Sequence, residues 1–429
     1  MDGAQPRALA ARVLYAVLHR GRSLKAELGQ ALPTLADPRD RALVEACVMS
    51  ALREHHRYAA ALKAWMPRPP SPRDGELRTL LYVGFAQLDA MKLPAHAAVA
   101  ATVEAARHMG RAHQAGMVNA LLRRALREPL PAATADAAWA AWLAEKVREA
   151  WPDAAAEIFA ASAQAAPMWL RVNSRRATRE AIAMQLDAAG IAHHMPDDLA
   201  DALRLDAALP VAQLPGFDRG DVAVQDGSAQ RLADALHDLP ASARVLDACA
   251  APGGKAAHLA ERHPDARILA LDIDERRVRR MQEGFVRLGH DIATRAADAT
   301  SPDGWWDGAG FDAIVIDAPC SATGIVRRQP DILLHRRESD LAPLAGLQSR
   351  LLDAAWSMLK PAGTLLYATC SILPQENAAQ IEAFLARTPD ARLQPLDARF
   401  GRDTGFGHQR LPGEGGMDGF FYARIAKAA

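Results

Sequence analysis

Little in this 429-residue chain marks it for export, for a membrane or for a metal. Cysteine occurs only four times, as Cys47, Cys249, Cys320 and Cys370. Thiols so few and so scattered make no disulfide framework, and the absence of any Cys-x-x-Cys pair or Cys/His cluster removes the usual zinc patterns. No metal is expected, and a reducing cytoplasm suits such thiols best. No apolar run approaches the roughly 20 residues that cross a bilayer. The start, Met1 to Pro6, is polar, and the amphipathic pattern after it is broken by arginine and histidine, unlike a signal peptide. Aromatics are scarce, at 5%. Two phosphate-binding signatures are also missing, since neither Gly-x-Gly-x-x-Gly nor a P-loop occurs.

What is present is length and a hidden charge asymmetry. A chain this long holds about three domains by the usual size of one. The formal net charge is zero, yet residues 1–140 carry 19 Lys+Arg against 12 Asp+Glu, and residues 141–240 carry 9 against 15. A basic N-terminal block suits a polyanion partner, or is simply a solvated basic face. Residues 6 to about 130 read as helices: Leu9, Val13, Leu14, Val17 and Leu18 recur at helical spacing, as do Leu43, Val44, Cys47 and Val48, then Leu77, Leu80, Leu81, Phe85 and Leu88. Pro67 to Pro72 breaks two helical groups, and Cys47 reads as a small core residue. After a boundary at Pro129 to Thr134, helical pattern returns over Trp139 to Ala163. Then come a strand from Met168 to Asn173, a helix from Thr178 to Ala189 with Thr178 as its cap, and a strand from Ala202 to Leu209. Beyond Pro215, strands alternate with helices, as βαβ units around a mostly parallel sheet do, and Phe420–Ile425 closes the chain as an antiparallel strand.

The most informative stretch is Ala243 to Lys255. Val245 and Leu246 end a buried strand, Asp247 terminates it, Gly253-Gly254 let a ligand approach the backbone where a Cβ would collide, and a helix follows. A second strand ends at Asp272, 25 positions after Asp247, close to where an open α/β sheet places a carboxylate on ribose hydroxyls. A nucleoside-bearing cofactor fits this pattern; an ordinary tight βα turn is the alternative. Two further apolar runs lead to Cys320 and Cys370, and ligands of such sheets bind beyond the carboxyl ends of strands, so both thiols are expected at one crevice.

Asp247-Ala-Cys-Ala-Ala-Pro-Gly-Gly-Lys255, Asp317-Ala-Pro-Cys-Ser-Ala-Thr-Gly324 and Tyr367-Ala-Thr-Cys-Ser371 resemble the motifs of the Nop/Sun family of S-adenosylmethionine-dependent RNA cytosine-5 methyltransferases. The resemblance covers essentially the whole chain and is greatest to bacterial members acting on 16S ribosomal RNA. It implies three domains: an all-α NusB-like RNA-binding bundle over 1–135, matched at Asp40-Arg41, Leu52-Arg53 and Val118 to Arg123; a small α+β linker over 136–235; and a Rossmann-like α/β methyltransferase domain over 236–429. It also implies the site. Cys249, Ala250, Ala251, Pro252, Gly253, Gly254 and Lys255 take the methionine end of S-adenosylmethionine, Asp272 the ribose, Asp298 the adenine side, and Asp317 lies between cofactor and base. Ala297 stands before Asp298 where relatives commonly have glycine. Cys370 is the implied nucleophile and Cys320 the thiol that assists product release, whereas DNA cytosine-5 enzymes use the Pro-Cys thiol for attack. The implied partner is ribosomal RNA, unassembled or partly assembled, acted on by a monomer. Arg171, Arg175 and Arg176 in the linker and Arg327-Arg328 after Cys320 suit RNA phosphates, or are ordinary surface arginines.

The chemistry is consistent with these residue types. Cytosine C5 is a poor nucleophile, so a thiolate adds first at C6, aided by a hydrogen bond or proton at N3, and a base later removes the C5 proton so that the thiol can leave. Asp317 is the candidate at N3, and a carboxyl donates a proton there only if the site raises its pKa. Two rivals belong to other classes. A non-catalytic RNA-binding or antitermination factor has no use for two cysteines beside a cofactor loop, and an amino-methyltransferase has an aromatic residue where Cys320 stands.

Overall fold

The computed structural model describes residues 3–66 and 74–429, so the predicted break at Pro67 to Pro72 lies outside the described residues. The described chain divides into two compact units. One contains the described residues up to Glu145 together with Asp153–Gln164 and Val326–Arg336. The other contains Lys146–Pro152, Ala165–Ile325 and Arg337–Ala429.

The first unit is helical. Helices Ala4–Arg20, Pro38–Trp65, Gly75–Leu88, Ala95–His108 and Ala115–Ala125 pack one core from Leu14, Val17, Val44, Val48, Leu80, Leu81, Phe85 and Leu122, all fully buried. The long helix begins where the sequence signals it: Asp37 accepts a hydrogen bond from the Arg39 N–H at 2.8 Å and Pro38 fills the first turn, which needs no donor. Cys47 lies in this core as expected, and burial pushes its thiol up to about 12. Val326–Arg336 belongs to the same unit: the Leu24 N–H donates to Asp331 at 2.9 Å and Arg53 donates to the Arg327 carbonyl at 2.8 Å. Arg327 is itself 3% exposed, so the expectation of a solvent-facing phosphate ligand fails for it.

The second unit has two sheets. The smaller is antiparallel, with strands β1 (Met168–Val172), β2 (His193–His194), β3 (Ala202–Leu205) and β4 (Val222–Val224) in the order β2-β3-β1-β4. Helix Arg179–Ala188 covers it with Ile182 and Leu186, and Thr178 caps that helix by accepting from Ala181 N–H at 3.2 Å. The strand expected to reach Leu209 stops at Leu205, because the following Asp-Ala-Ala are poor strand formers and Pro210 cannot extend a ladder.

The larger sheet contains β5 (Arg244–Asp247), β6 (Arg267–Asp272), β7 (Ala293–Ala296), β8 (Phe311–Asp317), β9 (Leu359–Thr369), β10 (Ala391–Gln394), β11 (Arg402–Asp403), β12 (His408–Arg410) and β13 (Phe420–Lys427). Its order is β11-β12-β13-β9-β8-β5-β6-β7, with β10 on β13. β5 to β9 run parallel, and β13 pairs antiparallel with β9, the closing strand that was expected. Ile314, Val315 and Ile316 are wholly buried, as a strand covered on both faces requires. The strand order reverses between β5 and β8, so the ligand crevice of the fold opens beyond Asp247 and Asp317. Among the described residues no helix is long and apolar enough to cross a membrane.

Candidate active site

Strands β5, β6 and β8 end in an aspartate and β9 in a cysteine loop, and beyond these ends lies one cavity of about 270 Å³. Asp272, Asp298, Asp317, Cys249, Ala251, Cys320 and Cys370 line it. Ala250, Pro252, Gly253, Gly254 and Lys255 lie behind the lining, and Lys255 reaches the site through Asp317, to which its Nζ donates at 2.5 Å. Burial works against the Lys255 ammonium, and the facing Asp317 carboxylate more than offsets it, so the lysine stays charged.

The loop after β5 needs its glycine. Gly253 has φ +97°, and a Cβ there would stand 2.7 Å from Met281 and 2.9 Å from Phe285 of helix Glu275–Leu288. Asp247 is 0% exposed, and among the described residues neither of its carboxyl oxygens meets a donor at full hydrogen-bond geometry, the Cys249 N–H being the backbone group that faces it. Burial, only partly offset by Lys255, raises it to about 7. Asp272, 4% exposed, accepts the Asp274 N–H at 3.0 Å and faces Arg277 Nη1 at 3.2 Å, while Arg277 Nη2 donates to the Ala251 carbonyl at 2.9 Å. Arg277 thus joins the glycine loop to the strand carrying Asp272, a link that sequence reasoning missed. Asp298 is exposed and accepts from the Thr300 N–H and hydroxyl, each at 2.8 Å. Ala297 stays outside the left-handed region and donates to the Asp272 carbonyl at 3.1 Å, so the loop does not need glycine there.

The thiols lie together as expected, Cys320 Sγ 3.5 Å from Cys370 Sγ. The hydrogen bond it shares with Cys370, and then burial, raise the Cys320 thiol well above its ordinary value. Burial likewise raises Cys249, which is a packing residue of the loop. The cysteine loops approach so closely that Gly324 N–H donates to the Cys370 carbonyl at 2.8 Å, and a Cβ on Gly324 would meet the Gly419 carbonyl at 2.3 Å.

Arg171 corrects the reading of the linker arginines. It is 0% exposed and grips Glu261 through Nε and Nη2 at 2.8 and 2.7 Å, Gly254 O through Nη1 at 2.6 Å, and also Gln225. His290 completes the set at 3.0 Å from Glu261. A guanidinium so enclosed holds the cofactor loop and has no face left for RNA.

Comparison with known proteins agrees with this architecture. Residues 4–127 match the NusB family, residues 139–212 the RsmF/B-like ferredoxin-like domain, and residues 235–426 the 16S rRNA methyltransferase RsmB/F family. The chain is 58% identical to the ribosomal RNA small subunit methyltransferase B of Xanthomonas campestris, over 100% of this chain and 98% of that protein. It is 55% identical to the protein of the same name from Xylella fastidiosa strain Temecula1, over 99% of each. The solved structure of PH0851 shares the fold with a TM-score of 0.81 at 23% identity, over 98% of this chain and 99% of that one. Its relatives matched end to end at more than half of their residues, the chain belongs to the 16S rRNA methyltransferase RsmB/F family.

Proposed function

We propose that this chain uses S-adenosylmethionine to methylate C5 of a specific cytosine in 16S ribosomal RNA, through a covalent bond between Cys370 and C6 of the base. One observation carries the reading: two thiols 3.5 Å apart stand at the ends of neighbouring parallel strands, beside the Lys255–Asp317 pair.

The residues present fit the cofactor. Asp272 and Asp298, carboxylates able to accept from the hydroxyl and amino groups of a nucleoside, line the cavity together with Cys249 and Ala251 of the glycine loop. Cys249 to Lys255 hold the methionine end, Asp272 the ribose, Asp298 the adenine side, and Asp317 borders both cofactor and base. When bound, the cofactor supplies an electrophilic methyl group. Everything else falls to the chain. Cys370 adds to C6 and its sulfur–carbon bond makes C5 electron-rich. Asp317, oriented by Lys255, meets the N3 edge, and as negative charge develops there a proton passes from the Lys255 ammonium through the Asp317 carboxyl to N3. Cys320 stays neutral while Cys370 attacks; in the collapse a base takes the C5 proton, the C6–sulfur bond breaks and Cys370 leaves as the thiolate, with Cys320 placed to assist by donating a hydrogen bond to the departing sulfur. A base must leave its stack to reach Cys370, so the substrate is unassembled or partly assembled small-subunit RNA in the cytoplasm. Every residue invoked comes from one chain, and a monomer suffices.

The test is a denaturing gel of variants incubated with small-subunit RNA and cofactor. Cys320→Ala is expected to accumulate a slow-migrating protein–RNA complex that Cys320→Ala/Cys370→Ala does not form. A complex trapped in Cys370→Ala and absent from Cys320→Ala would reverse the two roles. Bisulfite sequencing of the RNA then identifies the base, and no protected cytosine with the wild-type enzyme would sink the reading.

A further inference from the structure

Beneath the two cysteine loops lies a polar group that neither cofactor nor base needs. Glu376 is 0% exposed, six residues past Cys370, in a segment that sequence reasoning passed over as loop. Its Oε1 accepts the Ser321 N–H at 2.8 Å and Gln348 Nε2 at 3.2 Å. Its Oε2 accepts the Ser321 hydroxyl at 2.5 Å and the Ser371 hydroxyl at 2.6 Å. Four donors converge on one buried carboxylate, and two of the three residues that supply them, Ser321 and Ser371, directly follow Cys320 and Cys370. The third, Gln348, is also fully buried and donates to the carbonyl of Pro319, the residue before Cys320, at 2.9 Å. Further bonds cross between the loops: Ile372 N–H donates to the Thr323 hydroxyl at 3.0 Å, and Ser371 and Thr323 hydroxyls lie 3.2 Å apart. Tyr367 anchors the acid from the other side by donating to the Glu376 carbonyl at 2.7 Å.

We infer that Glu376 is a positioning residue that sets the distance between the two thiols by clamping Ser321 of one loop to Ser371 of the other. This rests on the two-thiol reading given above. A carboxylate suits the task because it is an acceptor with room for four donors, whereas any neutral replacement satisfies fewer of them. Its negative charge also opposes ionisation of Cys320, which keeps that thiol neutral and leaves Cys370 to attack. The reaction needs one thiol at C6 and the other within reach of the same adduct, and displacement of about 1 Å costs on the order of 10²-fold in rate.

The experiment measures thiol proximity apart from methylation. In glutathione redox buffer, oxidised glutathione takes two electrons from the pair: its own disulfide breaks, a Cys320–Cys370 bond forms, and two glutathione thiols carry away the protons. Mass spectrometry of the full chain in a Cys47→Ala/Cys249→Ala background gives the effective concentration of one thiol at the other. Glu376→Ala is expected to lower it at least about 10-fold, and Glu376→Gln, which keeps one acceptor oxygen, by less. Single-turnover methyl transfer by the same Glu376 variants, with all four native cysteines kept, should fall in that order while the Kd for S-adenosylmethionine stays within about twofold. Should Glu376→Ala not fold, Glu376→Gln alone decides, its thermal transition serving as control. Unchanged thiol proximity in a folded variant overturns the clamp, as does a loss of proximity with no loss of rate. If the wild type makes no 5-methylcytosine, the functional reading fails, while the redox equilibrium still tests the clamp.

Discussion

Two buried carboxyl groups lie behind the lining of the crevice, one at the end of β5 and one beneath the cysteine loops, and they are treated in opposite ways. Asp247, at the end of β5, is 0% exposed and faced by no donor but the Cys249 N–H, while Glu376, beneath the cysteine loops, is equally buried and accepts from four donors. An unsatisfied buried polar group costs about 1–3 kcal/mol or more, so stability alone does not keep one. A fully satisfied network costs little and fixes geometry. The end of β5 therefore holds a carboxyl that the fold leaves short of donors, while the cysteine loops are held where they are.

The sharpest division between the ends lies in the thiols. Cys370→Ala should reduce single-turnover methyl transfer by about 10³-fold or more while calorimetry finds the cofactor Kd unchanged, because the nucleophile serves the base alone. Loss of cofactor affinity in that variant would break the separation of the two ends.

The next effect concerns Asp247. Its carboxyl titrates at about 7 in the fold, well above the ordinary aspartate value of about 3.9, so between those limits the folded chain holds a proton that the unfolded chain has released. Stability therefore falls as pH rises from about 4 to 7, and the penalty, at most ~4 kcal/mol, is complete above 7. Asp247→Asn should remove that slope and be more stable than the wild type at pH 8, as denaturant titrations at several pH values will show. An unaltered slope would mean that the acid is satisfied after all.

Smaller again is Asp272→Ala, expected to weaken S-adenosylmethionine binding by about 1–3 kcal/mol in calorimetry, the range of hydrogen bonds to a charged group. It should leave the Cys320–Cys370 equilibrium untouched. Smallest is Cys47→Ala in the helical unit, where loss of a small buried side chain should cost about 1 kcal/mol in denaturant and nothing in rate. That variant calibrates what an ordinary buried thiol contributes.

What the sequence made legible was local. Apolar runs ending in Asp247, Asp272 and Asp317, and the glycine turn after the first, announce strands and a crevice because each signal lies within a dozen residues. The thiols could be brought together from topology alone, since both terminate strands of one parallel sheet. Groups whose partners are distant in sequence stayed hidden. Arg171, followed by Arg175 and Arg176, reads as part of a basic surface, and nothing near it reveals Glu261, 90 residues away, or His290. Glu376 lies in Pro-Gln-Glu-Asn, a composition that signals a solvated loop, and its donors come from 55 residues upstream as well as from its own turn. The short strands β11 and β12 carry polar residues and exist only because β13 offers an edge to β12 and β12 in turn offers one to β11.

The grip of Arg171 on Glu261 and on the Gly254 carbonyl bears on how such a protein can be re-engineered or can have diversified. β1 belongs to the small antiparallel sheet, whereas Glu261 and Gly254 belong to the cofactor-binding half. Either half transplanted into a foreign scaffold would carry away one charge of a fully buried pair and strand the other, a defect of about 3–5 kcal/mol. The two halves are thus inherited as one piece, and a chimera that exchanges the linker must bring Arg171, Glu261 and His290 with it or replace all three together.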